Sequence, residues 1–138
     1  MVGKAKKTKE KFWLDDEEKL NRLMCLLKLE IERIMFDVEF RKDVLFKLWS
    51  KERTREPLLR TLHSRFFELS FNSLILLPKS LFKKVDSFYK TLDDLTFYVT
   101  YTEDMPHTMK TTFDMFLKEL KHKFEILDKE LKVYYQEE

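Results

Sequence analysis

The stretch from Leu23 to Phe40, "LMCLLKLEIERIMFDVEF", decides what kind of fold this chain can have. Its apolar residues Met24, Leu27, Ile31, Ile34 and Val38 recur at steps of three and four, which line one side of an α-helix. The same step reaches back to Leu20 and forward, past the exception at Arg41, to Leu45 and Leu48. Just ahead, "DDEE" at Asp15 to Glu18 sets four acids where the positive end of a helix dipole favours them. One helix over about residues 14–53 is therefore expected. Arg41 leaves room for a kink within "EFRKD", and "TREP" is expected to stop the helix, because the residue before Pro57 is pushed out of helical geometry.

Working outward, the same period returns three times. A second helix over 57–76 opens with Pro57 in its first turn and carries Leu59, Leu62, Phe66 and Leu69. A third over 78–102 restarts at Pro78 and carries Leu81, Val85, Phe88, Leu92, Leu95 and Val99. A fourth over 106–136 carries Phe113, Leu117, Leu120, Phe124, Leu127, Leu131 and Tyr134. Four seams of one period, joined by brief connections, predict an all-α fold: an antiparallel up-down-up-down four-helix bundle, one domain over 13–138, with slight left-handed coiling. Residues 1–12 hold five lysines and too little apolar surface to bury, so they are expected to be a disordered basic tail.

Composition agrees with this reading. One Gly and three Pro in 138 residues leave almost no material for the tight turns of a sheet protein. The longest uncharged run, Leu69 to Pro78, is far below the roughly 20 residues of a membrane span, and no cleavable apolar leader opens the chain. A soluble, cytoplasmic protein is expected. The single cysteine, Cys25, has no internal disulfide partner and reads as a buried thiol. Side-chain amides occur only at Asn21, Asn72 and Gln136 amid abundant Lys and Glu, a balance associated with proteins from hot environments. Ala5 is the only alanine, so bulky Leu, Ile, Phe and Met must fill the core and hold the helices toward the wide end of their roughly 8–10 Å spacing.

The motifs that carry chemistry are scarce. Glu119 and His122 have the Glu-x-x-His spacing of carboxylate-bundle metalloproteins, but they fall between the seam residues Leu117, Leu120 and Phe124, on the solvent side of their helix. No second Glu-x-x-His occurs, and no seam position on any helix is a carboxylate. His63 and His107 lack the partners of a general base, and Cys25 lies among leucines with no base nearby. With its one glycine at Gly3, the chain has no Gly-rich phosphate loop. No catalytic residue, metal, cofactor or small-molecule substrate is expected.

Two leftover surfaces remain. On the first helix, at about 100° per residue, Leu26, Leu29, Phe36 and Phe40 cluster between about 160° and 240° from the seam, where water should be, and only Arg33 interrupts them. Phe67, Phe71 and Ile75 repeat this feature on the second helix. The second surface is basic. The formal net charge is +2, but residues 1–14 contribute five lysines against one glutamate, which leaves the remainder at −2. In an up-down bundle the tail lysines Lys4, Lys6, Lys7, Lys9 and Lys11 emerge at the same pole as Lys79, Lys83 and Lys84. The expected function is non-enzymatic association, with a second copy or another protein, through the outer faces of the first two helices. The alternative is binding of nucleic acid or an anionic membrane surface through the lysines.

Overall fold

The computed structural model describes residues 15–134; the lysines from Lys4 to Lys11 lie outside them. Among the described residues the regular structure is all helical, with no strand. The first helix, α1 (Asp16–Glu52), is capped by Asp15, whose carboxylate accepts a hydrogen bond from the Glu18 backbone N–H at 2.8 Å. It buries Met24, Leu27, Ile31, Ile34, Val38 and Leu45 along the expected seam, and the stripe is widened by Leu23, Met35, Phe46 and Trp49. α1 runs unbroken through Glu39 to Asp43, so Arg41 is accommodated without interrupting the helix. Its end differs from the expectation. Helix geometry stops at Glu52 because Arg53 turns left-handed (φ 57°) and donates its N–H to the Trp49 carbonyl, whereas Glu56, the residue before the proline, already belongs to the next helix.

The expected second helix is not continuous. It consists of α2 (Glu56–Leu62), a 3₁₀ turn over Arg65–Glu68, and the single turn α3 (Phe71–Leu74). Serines make both breaks. Ser64 Oγ accepts from the Phe66 N–H at 3.1 Å and Ser70 Oγ from the Ser73 N–H at 3.3 Å, so side chains take over donors that a continuous helix would use. Leu58 and Leu62 are buried, and Leu59, Phe66 and Leu69 pack half-buried against the core.

Past Pro78, α4 (Lys79–Tyr101) buries all six of its expected seam residues together with Tyr89 and Thr91. α5 (Pro106–Tyr134) buries Phe113, Leu117, Leu120, Leu127 and Leu131, and adds Met109, while Phe124 is half-buried and Tyr134 exposed. Among the described residues the contact between α4 and α5 is the most extensive between helices. Its polar pairs run in reverse register: Lys84 Nζ to Glu130 Oε1 at 2.8 Å, then Lys123 Nζ to Thr91 Oγ1 at 2.6 Å, so the two helices are antiparallel. α1 meets α5 in the same sense through Glu39 and Lys121 (2.8 Å), Lys42 and Asp114 (3.7 Å), and Asp43 and Lys110 (3.3 Å). Arg55 pins one end of the molecule, donating to the Val99 carbonyl at 2.9 Å while its guanidinium lies 4.7 Å from the centre of the Trp49 ring.

Candidate functional site

The outer face of α1 follows from its own periodicity. Measured from Phe36 at about 100° per residue, Leu29, Phe40 and Leu26 fall within roughly 80° of arc, and the buried Leu27, Ile34, Val38 and Leu45 centre on the opposite side. All four stripe residues are more than half exposed, Phe36 at 65% and Phe40 at 77%. The two rings stack on each other, 5.4 Å between centres and 13° between planes. Val44, one turn further on, is exposed as well and extends the row, a residue the sequence reading passed over although its spacing from Phe40 is four. Arg33 is held by acids of its own helix, Glu30 at 2.6 Å and Asp37 at 3.6 Å. Beside the row lies an open groove of ≈ 630 Å³ between α1 and α5, walled by Leu29, Phe36 and Phe124 and edged by the Glu39–Lys121 pair.

Phe67, Phe71 and Ile75 are also exposed, but they do not form a second helical stripe, because the breaks at Ser64 and Ser70 put Phe67 in the 3₁₀ turn and Phe71 in α3. Phe67 packs edge-on to Phe66 and Tyr89, at 5.7 and 5.9 Å. With Phe71 and Phe82 it lines a hollow of ≈ 210 Å³ that excludes Ile75. Leu69 lines this hollow and also one shared with Leu26, so the two apolar areas adjoin.

Near this junction lies a cluster centred on Glu30. Glu30 is buried, and its Oε1 accepts from Arg33 Nη2 at 2.6 Å and from the Arg65 backbone N–H at 3.2 Å, while Arg65 Nη2 lies 3.6 Å from Oε2. Burial by itself raises the pKa of this carboxyl. The hydrogen bonds and charges of Arg33 and Arg65 more than offset that and hold it below its ordinary value of 4.5. Glu30 thus fastens the 3₁₀ turn to α1. Tyr89 lies beneath, its ring flat against Phe66 at 3.8 Å, and its buried hydroxyl has Ser64 nearby but makes no hydrogen bond of good geometry. Burial pushes the Tyr89 pKa far up, and the nearby Ser64 offsets only part of that. A spacing rule could not have found this arrangement, since Glu30 and Arg65 are brought together by the chain reversal.

Of the lysine pole, Lys79 and Lys83 are exposed, but Lys84 is occupied: Glu130 accepts from it at 2.8 Å and from Ser80 Oγ at 2.7 Å. Glu119 and His122 are both exposed, with Glu119 paired to Lys123 at 3.2 Å, and His63 and His107 are exposed too. Cys25, expected to be buried, is half-buried. Among the described residues no group of three His, Cys, Asp or Glu side chains is placed to hold a metal, and no helix is long and apolar enough to cross a membrane. Comparison with protein-family models, curated proteins and solved structures returns no match.

Proposed function

We propose that this chain is a non-enzymatic interaction module, a four-helix bundle of up-down-up-down topology whose second limb is the broken α2 to α3 segment, and that it associates with a second copy of itself through the outer face of α1 and the adjoining Phe67, Phe71 and Ile75. The topology is supported by the reverse register of α1 with α5 and of α4 with α5, and by the path of the segment from Trp49 at one end of α1 back to Asp16 at the other. The observation that carries the function is the exposed row Leu26, Leu29, Phe36 and Phe40 with its stacked phenylalanines. An outer bundle helix normally turns a polar face to water. A contiguous apolar row there costs solubility unless something covers it.

The test is sedimentation of the full chain up to about 100 μM at low and high salt, since an apolar interface persists or tightens in salt whereas phosphate contacts weaken steeply. A dimer that survives high salt supports self-association. A monomer at every concentration that binds polyanions only at low salt supports the lysine pole in its place, although the Glu130 pairing of Lys84 leaves that pole weaker than the sequence implied.

A further inference from the structure

The outer face of α1 has a charge pattern that discriminates between the two ways a helix can meet its own copy. We infer that two molecules pack α1 against α1 in antiparallel orientation about a two-fold axis near residue 35, so that Leu29 meets Phe40 of the partner copy, Leu26 meets Val44, and Arg33 meets Asp37. This rests on the self-association proposed above and adds its geometry.

The argument starts from the row itself. Reflected about a point near residue 35, the row maps onto itself: Leu29 onto Phe40, Leu26 onto Val44, and the exposed Arg33 onto Phe36 and its half-buried neighbour Asp37, which in the single chain lies 3.6 Å from its own Arg33 and 3.8 Å from Arg41. An interface across a two-fold axis must be self-complementary in this way. A parallel pairing in register instead sets Arg33 against Arg33 in the middle of an apolar patch, with Asp37 against Asp37 beside it. Like charges brought together in a desolvated contact disfavour that pairing. In the antiparallel pairing each Arg33 keeps its own Glu30 and gains an acid from the other copy, twice over by symmetry. The helix dipoles also oppose, the favourable sense. Further out the facing residues are charges at the rim, among them Arg22, which is already paired with Glu18 at 3.0 Å and lies where water screens it. From Leu26 to Val44 the row is roughly 27 Å long and one helix wide, an interface at the small end of the specific range, so a micromolar dimer is the expectation.

Orientation is read from single cysteines placed in a Cys25→Ser background and oxidised at about 100 μM, with Glu125→Cys on α5 as the collision control and circular dichroism as the check on folding. Near a two-fold axis a residue meets itself, and away from it only its mirror position. Oxidation traps even the weakened pair left when the ring is removed, so Phe36→Cys should cross-link alone above the control, whereas Leu29→Cys and Phe40→Cys should each stay monomeric and link when mixed. Spin labels at Val44→Cys supply a second readout, lying roughly 28 Å apart along the helix axis if antiparallel and roughly 10 Å apart if parallel. Leu29→Cys and Phe40→Cys each linking to itself, with close labels at 44, overturns the antiparallel register while leaving self-association intact. A dimer by sedimentation in which no α1 position links above the control overturns the use of this face. A monomer throughout overturns the inference and the proposed function together.

Discussion

Replacing Phe36 by lysine should separate association from folding. A phenylalanine buries about 150–250 Å² when fully covered. With 65% of Phe36 exposed in the single chain, roughly 100–160 Å² remains for a partner to cover. At about 25 cal/mol per Å² that is roughly 2.5–4 kcal/mol per copy as an upper bound, since association entropy and imperfect packing reduce what reaches the affinity. Taking about 3 kcal/mol for the pair of rings in a dimer, Phe36→Lys should weaken self-association at least about 100-fold. In the antiparallel pairing proposed above, the introduced ammonium would face Arg33 of the other copy and add to the loss. Within one chain the change is mild. The new side chain would follow Glu32 by four residues and precede Glu39 by three, helix pairings worth about 0.2–0.5 kcal/mol each, against about 0.5–1.5 kcal/mol lost with the Phe40 stack. Sedimentation velocity gives the dissociation constant, and chemical denaturation at low protein concentration gives the single-chain stability. A folded monomer within about 1 kcal/mol of the parent is expected. An unfolded variant would show that Phe36 lies inside the monomer. A parent already monomeric at about 100 μM, indistinguishable from the variant, refutes the reasoning at its first step.

Glu30→Ala removes the acceptor that ties the Arg65 N–H to α1, and should cost about 1.5–3 kcal/mol in denaturation with faster amide exchange over residues 65–68; a loss under about 0.5 kcal/mol would show that the turn holds without it. Tyr89→Phe deletes a buried hydroxyl that has Ser64 nearby but no hydrogen bond of good geometry, and should be neutral or stabilising by up to about 1 kcal/mol; a clear loss of melting temperature would show that the Ser64 contact contributes to stability. Acid should destabilise the chain in a defined window. Glu39 is held below its ordinary 4.5 by Lys121, and Glu30 and Glu130 are held below it by their partners, Arg33 with the Arg65 N–H and Lys84 with Ser80, which more than offset burial. Carboxyls whose folded pKa lies under the unfolded value bind fewer protons when folded, so their contribution is complete above pH 4.5 and is lost as pH falls below it. A melting temperature unchanged from about pH 6 to pH 3 contradicts that, and in Glu30→Gln the acid-sensitive loss should shrink.

The long helices were legible in the sequence because each places its apolar residues at a period that only one local structure can use. Leu81, Val85, Phe88, Leu92, Leu95 and Val99 are all buried on α4, and the apolar back of α1 is exposed as its angular position requires. Neither result depended on knowing what the helices touch. The second limb shows where periodicity stops being sufficient. Leu59, Leu62, Phe66 and Leu69 satisfy a helical spacing, yet Ser64 and Ser70 offer their side chains to the backbone at two points, and that local competition outweighs the pattern once Phe66 can lie flat on Tyr89. The consequence for the candidate site is direct, since Phe67, Phe71 and Ile75 become an irregular apolar area in place of a second stripe. Glu30 carries the same lesson in charge. From its position on one helix it is a flank residue, and only the return of the chain, which brings the Arg65 backbone N–H within 3.2 Å, makes a buried carboxylate tolerable there. A residue's side of a helix is set by angles along its own backbone. Its partners are set by residues tens of positions away, and those meet only when the whole chain has folded.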